Sequence, residues 1–157
     1  MNRVDELFKK YNFSYLDEEG CFIAKVYECN IKMENNISIA SHAFGIYLKE
    51  PKSFSRFHRL SNDEFWHFYE GDSFKLHILY PDGKCETVIM GKNISDGELL
   101  HKLVPAGAWQ AGELIDGTYA LFGCTVAPAF SDGIFELRDK EKLSKQFPKY
   151  KEIINRL

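Results

Sequence analysis

Residues 3–11, RVDELFKKY, place Val4, Leu7, Phe8 and Tyr11 at i, i+3, i+4 and i+7, the spacing that sets four side chains on one face of a short amphipathic helix. The hydrophobic period then changes. CFIAKVYE, NISIASHAFGIYLK, SFSRFHRL, EFWHFYEG, SFKLHILY, CETVIMGK, HKLVPAG, WQAGEL and TYALFGCTV are short runs rich in aromatic and β-branched residues, which suit a pleated, half-buried surface. Turn-forming clusters separate them: EEG at 18–20, EPKS at 50–53, SND at 61–63, EGDS at 70–73, PDGK at 81–84, SDGE at 95–98 and DGT at 116–118. Many short strands at near-regular spacing predict an all-β sandwich or barrel rather than alternating βα units. FKLHILY-PDGK-CETVIM reads as a hairpin, with Pro81 presetting φ and Gly83 supplying the permissive conformation the reversal needs. From Arg138 the helical period returns, and Pro148 is placed to break or kink that segment.

At 157 residues the chain has the size of one domain, and chains of this length bury roughly 70% of their extended surface. One domain over 1–157 is the expectation. An aromatic share of 15%, with 13 Phe, suits strands and the walls of a closed pocket. Net charge is −3, yet residues 138–157 carry seven Lys/Arg against three Asp/Glu. Leu143, Phe147, Ile153 and Leu157 recur among those basic residues at helical spacing, so the tail reads as the solvated face of a docked helix, with no nucleic-acid or membrane partner expected. Cys21, Cys29, Cys85 and Cys124 form no C-x-x-C pair and read as reduced thiols. There is no apolar run of signal-peptide length and none of about 18 residues. A cytoplasmic protein is expected, in which the N-x-S triplets at Asn12, Asn36 and Asn93 are fortuitous.

On a strand, residues two apart share a face. SFSRFHRL therefore groups Arg56, His58 and Leu60, and EFWHFYEG groups Glu64, Trp66, Phe68 and Glu70. If His58 and Glu64 face one interior, an imidazole and a carboxylate meet across the tight turn SND. Such a pair either ligates a divalent metal or works as an oriented acid/base couple. The plainer alternative is a hydrogen-bonded core histidine and a solvated carboxylate.

Glu64 is followed after six residues by Gly71, and VPAGAWQ reads Pro105-x-Gly107-x-x-Gln110. Through His58, Glu64, Gly71, Pro105 and Gly107 the sequence resembles the cupin superfamily, whose first motif runs H-x-H, three or four residues, E, six residues, G, and whose second centres on P-x-G-x-x-H. Leu60 and Gln110 stand at two of the histidine positions, the leading glycines of both motifs are missing, and Leu114 stands for a closing Asn. Longer blocks, SFSRFHRLSNDEFWHFYEGD, VPAGAWQAG, YALFGCTVAPAF and FELRDKEKLSKQFPKYKEIINRL, resemble the cupin type-5 subfamily of unknown function over nearly the whole chain. DEEGCF at 17–22 replaces that subfamily's P-E-G-G-Y, and Ala129 replaces a Gly.

The resemblance implies a jelly-roll barrel (a double-stranded β-helix) with short terminal helices, usually a homodimer, similar in architecture to the dTDP-sugar 3,5-epimerases. In those enzymes a His is the base and a Tyr the acid. Here His58 is the candidate base, with Tyr119 or Tyr69 as acid. A metal set would comprise His58, Glu64 and Gln110, a reduced donor set because an amide oxygen is a poor ligand for borderline metals. No cofactor is expected with certainty, and a divalent ion at low occupancy is the one considered. Trp66 and Phe68, on the Glu64 face, are candidate walls for a bound ring or core residues. Arg56 either binds an anionic substrate group or neutralises Glu64 or Glu70. Trp109 alternates away from Gln110 and reads as packing, His67 as outward-facing, Cys124 as a packed thiol, and His77 and His101 as surface or edge groups.

Three functions follow. One is an isomerase- or epimerase-like enzyme acting by proton transfer on a small polar molecule, sugar-like or nucleotide-linked, with His58, Glu64 and Gln110 as its centre. Another is a module or sensor that captures such a molecule unchanged. The third is metal-dependent chemistry.

Overall fold

The computed structural model describes residues 2–157. The expected N-terminal helix, α1 (Arg3–Tyr11), is present, capped by the Asn2 side chain on the backbone N–H of Asp5. Eleven strands follow: β1 (Ser14–Leu16), β2 (Cys21–Glu28), β3 (Ser41–Leu48), β4 (Phe54–Leu60), β5 (Asp63–Gly71), β6 (Phe74–Leu79), β7 (Cys85–Met90), β8 (His101–Val104), β9 (Trp109–Leu114), β10 (Tyr119–Ala127) and β11 (Phe135–Leu137). They form two antiparallel sheets, six-stranded in the order β1-β2-β3-β10-β5-β8 and five-stranded in the order β11-β4-β9-β6-β7. Helices α2 (Lys140–Gln146) and α3 (Lys151–Arg156) close the chain. This is the jelly-roll arrangement.

The β6–β7 hairpin is the one expected, with Gly83 at φ +88° in its turn. The run beginning at Asn36 is shorter than its composition suggests. Asn36 is left-handed (φ 64°) in a tight turn closed by Met33 and Ile37, and regular pairing of β3 starts only at Ser41. The three-residue strands β1 and β11 carry too few residues to show a period, and the sequence pattern missed both.

One end of the barrel interior is filled by Tyr47, Phe68, Phe74, Leu76, Met90 and Phe122. Outside it, α1 lays Leu7, with Val4, Phe8 and Tyr11, against Ile46, Leu48 and Leu121 of the six-stranded sheet. The C-terminal helices cover the outer face of the other sheet, where Leu143, Phe147, Ile154 and Leu157 pack on Phe57, Leu79, Trp109 and Ala111. Ile154 is fully buried and Ile153 only partly. The single-turn 3-10 segment at Pro148–Tyr150 shifts the helical phase that a continuous helix would have kept.

Gly71 and Gly107, the two motif glycines, have conformational reasons to be glycine. Gly71 sits at φ +95°, and a Cβ there would lie 2.3 Å from the carbonyl oxygen of Tyr119. Gly107 sits at φ +82° in the turn leading into β9, and its N–H donates to the carbonyl of Leu60 (2.8 Å).

Candidate active site

The turn Ser61–Asn62 carries the chain from the five-stranded sheet (β4) to the six-stranded sheet (β5). His58 and Glu64 are therefore not neighbours on one sheet. They look at each other from opposite walls of the barrel interior, both over 90% buried (5% and 7% exposed), and they form no direct ion pair. The His58 Nδ1–H donates to the carbonyl oxygen of Arg56 (2.8 Å), since a carbonyl can only accept. That bond fixes the ring and leaves Nε2 free for the interior, while Phe135 stacks on the imidazole at 5.5 Å.

Strand β4 bulges opposite Ala111: Ser55 pairs with Gly112 and His58 with Gln110, so Arg56 and Phe57 together face one residue. Alternation is broken there. Ser55, His58 and Leu60 line the interior, and Phe57 turns outward beneath the C-terminal helices. Arg56 does not share the face of His58 as strict alternation predicts. Its guanidinium donates to the carbonyls of Asp17 and Glu18 and clamps the β1–β2 turn.

From the wall opposite His58, Glu64 is tied to the five-stranded sheet by Gln110. The Gln110 amide Nε2 donates to Glu64 Oε2, and its Oε1 accepts from Trp66 Nε1 (2.7 Å). Burial raises the Glu64 carboxyl above the usual range, opposed by the field of His58 and the Gln110 bond. The Cys124 thiol lines the cavity near the same carboxyl and is itself raised well above a free thiol, chiefly by burial. It is an un-ionised group, half-buried at the cavity wall.

Between the walls lies a cavity of about 400 Å³, of the size that holds a small metabolite. His58, Glu64 and Trp66 line it together with Glu19, Ser55, Phe122, Cys124, Phe130 and Phe135, and Lys25, Tyr27 and Glu28 stand exposed at its mouth. Glu19 is the residue the sequence reading missed. It lies in the turn before β2 and brings its carboxylate within 3.9 Å of the buried Cys21 sulfur. Its signal was the substitution of DEEGCF for the subfamily pattern at this rim, which marked the place without giving a direction.

The model of the family Cupin_5, described as cupin superfamily (DUF985), matches residues 5–138. The chain belongs to that family. Protein SO0799 from Shewanella oneidensis is similar to this cupin over 99% of this chain and 96% of its own, at 27% identity and a TM-score of 0.89. A hypothetical protein from Leishmania major is similar at 23% identity, over 99% and 98% of the two chains, with a TM-score of 0.88. Oxalate decarboxylase from Bacillus subtilis shares the fold at 16% identity and a TM-score of 0.57; the match covers 91% of this cupin and 37% of that chain. No curated protein matches by sequence.

Cupin folds are associated with a metal in the barrel, and the donors of this cupin do not fit one well. Of the expected set, His58 Nε2 and Glu64 reach the cavity, but Gln110 is 1% exposed, does not line the cavity, and spends both ends of its amide on Trp66 and Glu64. Leu60 supplies no donor. Among the described residues no three His, Cys, Asp or Glu side chains converge as a ligand group.

The other expected site residues are placed apart from the cavity. Phe68 shares the face of Trp66 but lies deeper, in the filled end of the barrel. Tyr69 is the extra residue of a bulge opposite Leu121/Phe122, which turns Glu70 outward; on the outer surface Glu70 accepts from Arg3 (2.8 Å) and from the Tyr119 hydroxyl (3.1 Å). Tyr119 is thus held at the barrel exterior. The Tyr69 hydroxyl meets His42 Nε2 (3.0 Å), and His67 meets Thr125 (3.0 Å), both on the outer face. His77 corrects the expectation of a surface group: it is 5% exposed, with Nδ1 against Thr87 Oγ1 (2.8 Å) and Nε2 against Glu113 (3.2 Å). No helix among the described residues is long and apolar enough to cross a membrane.

Proposed function

We propose that this cupin binds a small polar, sugar-like molecule in the barrel cavity and moves a proton on it, in the manner of an isomerase or epimerase. The observation that carries this reading is the pairing of a free His58 Nε2 with a buried Glu64 carboxyl of raised pKa on facing walls of one cavity. A base and an acid on facing walls of one cavity is the arrangement acid/base catalysis needs. His58 takes the base role, its ring held in place by the Nδ1–H bond to the Arg56 carbonyl. Glu64 takes the acid role in place of Tyr119, because burial favours its protonated form. Gln110 orients Glu64, and Trp66 and Phe122 supply apolar walls for a carbon frame. A nucleotide-linked substrate fits less well, since Arg56 is committed to backbone carbonyls and Lys25 is the one Lys or Arg lining the cavity.

The test is a thermal-shift screen of a metabolite panel, followed by NMR of each hit in D₂O with the wild type, His58→Ala and Glu64→Gln. Exchange or rearrangement of a C–H bond that both variants abolish supports the reading. A ligand bound tightly and recovered unchanged, with no deuterium incorporated, replaces it with the binding-module reading. We also propose a homodimer. Phe65, Tyr69 and Leu103, exposed together on the outer face of the six-stranded sheet, support a covered surface there, and light scattering at twice the 18.2 kDa chain mass is the expected result.

A further inference from the structure

The cavity has an excess of acidic groups, and we infer that its ligand carries an ammonium group on a small hydroxyl-bearing frame, with Glu19 and Glu64 as the receiving groups. This inference rests on the reading of the barrel cavity as the small-molecule site, and it narrows the class of molecule that site takes.

Two carboxyl groups enter the interior from different elements, Glu19 from the β1–β2 turn and Glu64 from β5, and among the described residues neither is paired with a Lys or Arg. Each nearby cation is otherwise placed. Lys25 is exposed at the mouth, and the Arg56 guanidinium is committed to the Asp17 and Glu18 carbonyls of the turn. His42, at the cavity rim, turns its ring to the outer face, where Thr125 meets Nδ1 and Tyr69 meets Nε2, so the free imidazole nitrogen in the cavity is His58 Nε2.

An anionic ligand would give up its hydration to enter a cavity that already holds two carboxyl groups and whose one lining cation among the described residues, Lys25, stands exposed at the mouth. An ammonium meets the opposite situation. The field of Glu19 is one of the influences that oppose ionisation of Glu64, and a cation between them offsets that field. Trp66 and Phe122, stacked on each other, and Phe135, stacked on His58, line the same space, and aromatic rings attract cations where water is excluded. Hydroxyls of the frame would then be read by His58 Nε2 and the Ser55 hydroxyl, although Ser55 also contacts Tyr47 (2.6 Å).

Calorimetric titration with matched probes tests this: glucosamine, glucose and glucuronate as a six-carbon set, and serinol, glycerol and glycerate as a three-carbon set. In at least one set the amine is expected to bind tenfold or more tighter than the neutral member, with no heat from the carboxylate. Glu19→Gln is expected to remove that tenfold preference while leaving the neutral member unchanged, and Glu19→Lys to shift it toward the carboxylate, with circular dichroism confirming that both variants are folded. The inference is overturned if the neutral or anionic member binds tightest, if Glu19→Gln leaves the amine unaffected, or if no probe in either set binds. A turned-over ligand of another charge whose reaction needs His58 overturns this inference alone and leaves the proposed function standing.

Discussion

Glu113, at the end of β9, ties the C-terminal helix to the barrel, and its removal should show a pH signature that a packing loss would not. The side chain is 13% exposed, accepts from His77 Nε2 (3.2 Å) and takes a two-pronged contact from Arg156, one prong at 2.8 Å. Burial alone would raise its pKa, but the His77 hydrogen bond and the Arg156 guanidinium outweigh burial and hold it at about 2, against 4.5 for an ordinary Glu. A depression of that size corresponds to about 3 kcal/mol of native-state stability. Because Arg156 is half exposed and solvent screens it, we take about 2 kcal/mol as the working figure.

The sign follows from proton binding. Between the two pKa values the unfolded chain holds the proton and the native state does not, so the contribution is complete above about pH 5 and disappears as pH falls through about 2. Glu113→Gln keeps the shape and removes the charge. Urea unfolding of wild type and variant, followed by tryptophan fluorescence, should show the variant less stable by about 2 kcal/mol at pH 7, by about three-fifths of that at pH 3.5 and by about a quarter at pH 2.5. Trp109 lies in the cluster beneath the helix that Glu113 anchors and reports its release. A gap that stays level from pH 7 to pH 3 would refute the electrostatic account and assign the loss to packing.

Gln110→Leu leaves Trp66 Nε1 and the Glu64 carboxyl unpaired in the interior, and should cost about 3 kcal/mol in urea unfolding; a loss under about 1 kcal/mol would show the tie to be dispensable. Gly71→Ala forces a Cβ to within 2.3 Å of the Tyr119 oxygen at φ +95°, so its melting temperature should fall by about 10 °C or more. An unchanged melt would mean that the β5–β10 end relaxes freely. Glu64→Gln removes a carboxyl whose ionisation is opposed by burial, so relative to wild type the variant should gain stability as pH rises above the usual carboxylate range and show no such gain at pH 4. A pH-independent difference in chemical denaturation would contradict the raised pKa.

Strand alternation made most of the interior legible, and it failed where a bulge inserts a residue. EFWHFYEG correctly puts Glu64, Trp66 and Phe68 on one face, but the bulge at Tyr69 sends Glu70 outward to Arg3. SFSRFHRL puts His58 and Leu60 inward, but the bulge at 56–57 takes Arg56 out of the cavity and with it the expected anion-binding group. Bulges come from pairing with β9 and β10, both distant in sequence, and leave no local trace. His77 was misread for a similar reason: its partners Thr87 and Glu113 come from two other strands, so no spacing within the chain reveals them. Glu19 lies in a turn, where neither period applies. The C-terminal helices were legible as an amphipathic segment, and the error of one position at Ile153/Ile154 follows from the phase slip at Pro148.

Gln110 shows what the substitution of motif histidines does physically. An imidazole at that position would offer one nitrogen to the interior. The amide offers a donor and an acceptor, and both are used across the gap between the sheets, to Glu64 and to Trp66. Gln110 pairs with His58 between β4 and β9, so the residue that orients the carboxyl is fixed to the strand that carries the imidazole. His58 and Glu64, which lie on different sheets and form no direct ion pair, are thereby held at a set separation by one side chain and its backbone pairing. A metal could do the same by ligating both walls. Here a hydrogen-bonded amide does it, leaving His58 Nε2 and one edge of Glu64 facing the cavity between them, which is the condition the proposed reaction sets for a molecule there to exchange a proton with each.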